Sequence, residues 1–235
     1  MQGSPAGLPS GIPGIGVAIW GAMQQAAHPE RHSIVIGQQF LILQDIMAAH
    51  YNRFRTRTMA LKPTIYKVEL QLSDTDRHCY ETCQLTLAQH PSETELRMMV
   101  RLLVYGLNYH QDLSFTKGLS STDEPELWQI GPDGQVEHWI ELGQVTPERL
   151  RKAVSRAPKI SLYAYGRETD IWWQKQGQAI ADLPKLTVWR FQEDQVSPLA
   201  QLVQRSMALS MTITDGEIYL SDGENHCTVT PEKLL

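Results

Sequence analysis

The sequence predicts a mixed α/β fold, a mixed sheet flanked by helices. Three observations carry that prediction. Ile65–Leu72 alternates polar and apolar residues at the two-residue period of a half-buried strand. A stripe of apolar residues at helical spacing follows Ser92. A strand of buried type, Ile160–Tyr165, falls between two predicted helices. The order read along the chain is β-β-α-(β)-β-β-α-β-α-β-α-β-β over about 63–230. No repeat and no internal linker divides it.

In the first strand, Tyr66, Val68, Leu70 and Leu72 share the apolar side. A turn at Asp74–Arg77 leads into its hairpin partner, Cys79–Leu87. Ser92-Glu93-Thr94-Glu95 reads as a capping box opening a helix to about Tyr109, with Leu96, Met99, Val100, Leu103 and Leu107 inward. Leu113–Phe115 is a short strand. Leu127–Ile130 and Val136–Leu142 form a hairpin around the turn Gly131–Gly134. Thr146-Pro147 starts a helix to about Ala157, with proline at its first position. A helix over 168–178, a strand over 186–191 and a helix over 195–207 follow, the last with Val196, Leu199, Ala200 and Val203 inward. Met211–Thr214 and Glu217–Leu220 flank Asp215-Gly216, a hairpin signal.

The 235 residues divide unevenly. Residues 1–58 hold four arginines against Glu30 and Asp45, a net of +2, and no lysine. The other 177 residues carry 17 basic and 24 acidic groups, a net of −7. An acidic body argues against a duplex binder that works by phosphate neutralisation alone. Residues 1–58 are expected to be a disordered or mis-annotated extension, with a possible short helix near 36–54 and Met59 as the true start. Residues 59–235 are expected to be one α/β domain. The three cysteines suit a reducing cytosol, and no run of about 18 apolar residues offers a membrane span. A cytoplasmic protein with no membrane partner is the expectation.

The segment most suggestive of chemistry is 123–152. A four-residue loop at 131–134 would put Ile130 opposite Gln135 and Glu126 opposite Trp139. Glu141 shares the face of Trp139 and becomes a diagonal neighbour of Glu126. Glu124 lies on the same side. Two carboxylates on one face suit one hard divalent cation, Mg²⁺ or Mn²⁺. A one-residue slip would split the pair.

Here the chain resembles the YaeQ family of bacterial proteins. The matching stretches are MALKPTIYK, LTLAQHPSETELRMMVRLL, FTKGLSSTDEPELW, HWIELG, IWW and MTITDGEIYLSDG. The resemblance covers 59–235 and implies a restriction-endonuclease-like variant of the PD-(D/E)XK nuclease fold. Pro125-Glu126 would be the proline–acid motif and Glu141-Leu142-Gly143 the acid-x-Lys motif, with Glu95 or Glu93 as a helix acid. Gly143 stands where that pattern has lysine. Lys152, Lys117 and Gln144 are the candidate stand-ins. The resemblance implies metal-dependent hydrolysis of nucleic acid. The alternative is a non-catalytic relative that binds nucleic acid or a protein partner.

Structural readings compete for the same residues. Glu126 and Glu141 can be ordinary solvent-facing strand acids. Glu95 serves the capping box, Glu93 can pair with Arg97 at i, i+4, and Lys152 is an exposed helix lysine. Cys79, Cys83 and Cys227 read as buried thiols, because their spacing with His78 and His226 matches no structural zinc pattern. Trp172-Trp173 reads as core packing in preference to a base-stacking platform.

Overall fold

A computed structural model describes residues 62–118 and 123–235. The expectations for residues 1–58 and for Met59 lie outside the described residues. Eleven strands and four α-helices follow in chain order. They are β1 (Thr64–Asp74), β2 (Cys79–Gln89), α1 (Glu95–Leu107), β3 (Leu113–Phe115), β4 (Leu127–Ile130), β5 (Val136–Leu142) and α2 (Pro147–Val154). Then come β6 (Lys159–Ala164), α3 (Thr169–Ile180), β7 (Leu186–Arg190), α4 (Glu193–Val196), β8 (Ser206–Thr214), β9 (Glu217–Ser221), β10 (His226–Val229) and β11 (Glu232–Lys233).

The strands form two mixed sheets, not one. The first has the order β10-β9-β8-β1-β2, with β1 and β8 parallel. The second has the order β11-β7-β6-β5-β4-β3, with β5, β6 and β7 parallel. One apolar cluster joins the inner face of the first sheet, α1, and Ile140, Leu142 and Tyr163 of the second. A separate cluster packs Trp139, Ile160, Leu162 and Val188 of the second sheet against Leu150 of α2 and Ile180 of α3. The second sheet is therefore covered on both faces, as strands of buried type require. α1 lies between the sheets, so every residue from Met98 to Gly106 is buried, Arg101 included. A helix buried all round needs more than a single apolar stripe.

Alternation set β1 correctly. Tyr66, Val68, Leu70 and Leu72 face inward and pair without interruption with β2. Three local expectations are corrected. The N-cap of α1 is Thr94, whose Oγ1 accepts the Arg97 amide at 3.2 Å. Ser92 is taken by the His90 ring at 2.6 Å, so the capping box at 92–95 does not form. The 195–207 helix is instead α4 followed by a 3-10 turn over Ser197–Leu202, because Pro198 interrupts α-helical bonding and Ser206 already belongs to β8. α2 ends at Val154, short of Ala157. The sequence reading also missed β10 and β11, which are too short to show a period.

Candidate functional site

Glu126 immediately precedes β4, and its amide donates to the Ile140 carbonyl at 3.0 Å. In the hairpin, Leu127 pairs with Ile140 and Trp128 with Trp139. One more step of that register sets Glu126 directly across from Glu141. The expected register was off by two residues, and both have a cause. The loop takes in Gln135, whose carbonyl accepts from Gly131 at 2.8 Å, so Ile130 pairs with Val136. A bulge next to Gln129 and Ile130 absorbs a second residue. Two single steps restore the parity, so both acids stay on one face and move closer.

Both acids are almost fully buried, Glu126 at 3% and Glu141 at 2% exposure. They line a cavity of about 690 Å³ with Arg97, Arg149, Tyr165, Gln144 and Gly118. It opens at the carboxyl ends of β5 and β6, where the chain turns into α2 and α3. Open α/β sheets place ligands at such strand ends.

Each acid is held by an arginine from another element. Arg97, in the first turn of α1, ion-pairs through Nη2 with Glu126 Oε1. Tyr165 lies close to Arg97 in the cavity lining, and against the pull of burial its hydroxyl adds to the rise that Glu126 gives the Arg97 pKa. Arg149 of α2 donates from Nε to Glu141 Oε1 at 2.7 Å and from Nη2 to the Glu124 carbonyl at 2.7 Å. The Trp139 indole donates to the same Glu141 oxygen at 2.8 Å. Burial pushes the Glu141 carboxyl above its ordinary range against the pull of Arg149, and nearby Glu126 adds to the rise. Glu126 Oε2 is buried without a hydrogen-bond partner.

The other candidates are placed differently. Glu93 is buried and pairs with Arg101 at 3.0 Å, not with Arg97. Burial raises its pKa, and Glu126 is close enough to add to the rise. Glu95 is exposed at the start of α1 and does not line the cavity. Lys117 reaches Glu124 at 3.8 Å from an exposed position, and Lys152 pairs with Asp123; neither lines the cavity. Gln144 does, and its amide donates to the Tyr165 carbonyl at 2.9 Å.

Gly143 has φ +83°, and a Cβ there would sit 3.4 Å from Arg97 Nη1. Any side chain at this position meets left-handed backbone and a guanidinium already in place. That accounts physically for the absence of lysine. Sequence reasoning missed Arg97, Arg149 and Tyr165. The sequence places Arg97 only as a partner of Glu93, and Arg149 only within the segment 123–152. No periodicity records a contact between residues 29 positions apart, which is the span of the Arg97–Glu126 pair.

Cys83 and Cys227 are buried free thiols, and Cys79 is partly buried. The Trp172 indole donates to the Val145 carbonyl at 3.1 Å, and both tryptophans pack against the second cluster. Among the described residues, no helix is long and apolar enough to cross a membrane.

Comparison with known proteins agrees with this architecture. The family described as YaeQ protein matches residues 59–231. The YaeQ protein of Salmonella typhi is 42% identical over 172 residues, covering 73% of this chain and 95% of that protein. The Escherichia coli (strain K12) YaeQ protein is 40% identical over the same length and coverage. The crystal structure of YaeQ protein from Xanthomonas axonopodis pv. citri superposes with a TM-score of 0.71 at 39% identity, covering 73% of this chain and 98% of that one. The Pseudomonas syringae YaeQ structure matches equally well, with a TM-score of 0.71, 39% identity and coverage of 74% and 96%. With the family match spanning most of its length and the fold shared with two crystal structures, this chain belongs to the YaeQ family.

Proposed function

We propose that the chain is a nuclease-fold protein of the PD-(D/E)XK type that hydrolyses phosphodiester bonds in nucleic acid with a divalent cation. The observation that carries this reading is the meeting of Glu126 and Glu141 on one face of a hairpin, inside one cavity with two arginines.

The residues fit Mg²⁺ or Mn²⁺ as a two-carboxylate site. Among the described residues, no group of three or more His, Cys, Asp or Glu is arranged to hold a metal. An all-protein cage is therefore not what this cavity offers. Mg²⁺ commonly takes one or two carboxylates and leaves its other positions to water and substrate phosphate. The unpartnered, buried Glu126 Oε2 is a hard oxygen with lone pairs to give. A cation bound there supplies charge stabilisation at phosphorus and lowers the pKa of an attacking water.

The chain's own residues orient and neutralise. Trp139 and Arg149 both grip Glu141 Oε1, which fixes the carboxylate in its rotamer. Arg97 pairs with Glu126, and Arg149 pulls against the burial that raises the Glu141 carboxyl. The burial of the two acids strengthens the charge interactions they make.

Calorimetric titration with Mn²⁺, then cleavage assays on single-stranded, duplex and branched substrates, test the reading. Wild-type protein is expected to bind Mn²⁺ and cleave at least one substrate. Glu126→Gln and Glu141→Gln are expected to lose at least a hundredfold in rate while remaining folded by circular dichroism. Cleavage unchanged in both variants, or no Mn²⁺ binding, sinks it. A second reading, a non-catalytic relative that binds nucleic acid or a protein partner, is favoured by the arginine held against each acid. It predicts affinity for its partner without turnover.

A further inference from the structure

Three glycines with left-handed backbone line the cavity: Gly118 at φ +51°, Gly143 at +83° and Gly166 at +98°. Only three other glycines among the described residues have positive φ: Gly134, Gly216 and Gly223. Nothing lies within 4 Å of a Cβ built on any of those three, as expected of exposed turns. At the cavity the missing side chains would each meet a polar group. A Cβ on Gly118 would lie 3.0 Å from Glu126 Oε2, one on Gly143 3.4 Å from Arg97 Nη1, and one on Gly166 3.5 Å from Gln144 Nε2. Glycine spares Glu126 the tightest of these contacts, at Gly118, and allows the left-handed backbone at all three positions. Backbone stripped of Cβ atoms around functional groups is how a chain admits a close-fitting ligand.

Arg97 is the group best placed to use that opening. Its Nη2 is committed to Glu126, while Nη1 faces the space beside Gly143. Its Nε is buried without a partner, which leaves Nη1 as the side that can meet a ligand. A guanidinium holds an oxyanion with two parallel donors, and does so best where water is excluded. We infer that Arg97 is a phosphate-holding residue: its Nη1 side, beside Gly143, binds a non-bridging oxygen of a phosphodiester while its Nη2 pairs with Glu126. The inference deepens the proposed hydrolysis and rests on that reading for the identity of the ligand. It does not require the cation. Arg97 also competes with any cation for Glu126, so its loss should separate the two kinds of binding.

The test titrates the full chain with a phosphorothioate-linked dinucleotide, once in Mn²⁺ and once in EDTA, and with Mn²⁺ alone. In whichever condition the wild type binds the dinucleotide, Arg97→Gln is expected to bind at least tenfold more weakly, and Arg97→Lys to fall between the two. Mn²⁺ alone is expected to bind Arg97→Gln at least as tightly as wild type, because Glu126 has lost its competing cation. Failure of the wild type to bind Mn²⁺ overturns the hydrolysis reading, and the EDTA arm still decides Arg97. Equal dinucleotide affinity in Arg97→Gln and wild type overturns the inference. So does a wild type that binds no dinucleotide in either condition. Thermal denaturation of each variant shows whether a lost signal reflects lost fold.

Discussion

His138 sits on β5 close to the two acids in sequence, yet it faces the other side of the sheet. Its Nε2 meets the Ser161 hydroxyl at 2.8 Å, and the residue is 3% exposed. Burial, aided by the Lys159 charge, pulls its pKa from 6.5 down to about 3. The unfolded chain therefore binds a proton that the folded chain refuses between those two values. The stability this histidine contributes is complete above pH about 6.5 and is lost as pH falls toward 3. Urea denaturation at pH 7.5 and pH 4.5 should show a larger acid loss in wild type than in His138→Gln, which keeps a polar partner for Ser161. The difference is expected to be on the order of 2 kcal/mol, since each pH unit inside the window is worth about 1.4. Equal losses would mean that His138 is not the neutral buried group the structure shows. Gly143 makes the complementary point at this scale. Its positive φ favours glycine at a position where the sequence reading looked for a lysine.

Among the elements, the β1–β2 turn does more than reverse the chain. Arg77 bonds the buried carboxylate of Asp74 at 2.6 Å and donates to the Gly106 and Tyr109 carbonyls, both at 3.1 Å. These carbonyls lie in the last turn of α1 and just beyond its C-cap, where a cation is favoured. Asp76 accepts from the Asp215 and Gly216 amides, each at 2.8 Å, and so ties the β8–β9 turn to the same corner. Arg77→Ala should cost about 2 kcal/mol in chemical denaturation, because it strands Asp74 in an apolar setting. Adding Asp74→Ala should recover part of that loss. A double variant as unstable as the sum of both single ones would show that the pair is not coupled. The same scale explains what could be read early and what could not. Alternation set the faces of β1 because strand period is local. The start of α1 escaped because capping is decided by which hydroxyl the folded turn brings to the amide, and the break at Pro198 because the expected helix ran through a proline.

For the whole molecule, the relevant unit is the C-terminal body. The described residues begin at 62, and the family match begins at residue 59. A chain of residues 59–235 is expected to unfold in one transition with the midpoint of that transition in the full chain, followed by circular dichroism. A shift of more than a few degrees would show that the first 58 residues stabilise the body. The two-sheet arrangement also sets the character of the cavity. Glu126 and Glu141 come from β4 and β5, Arg97 from α1 between the sheets, and Arg149 from α2 on the opposite face. Only the stacking of these layers brings all four side chains to one strand end.

The sequence by itself determined the family, most of the elements and the common face of Glu126 and Glu141. Those rest on local order: strand parity survives a shift of two, and helical spacing survives an uncertain cap. Tertiary structure alone decided that there are two sheets, that Glu93 belongs to Arg101, and that two arginines hold the paired acids where a lysine was sought. Such contacts join residues far apart in the chain through long side chains. Their partners follow from burial and charge in the packed molecule, which penalise an acid left alone and leave no trace in the spacing of residues.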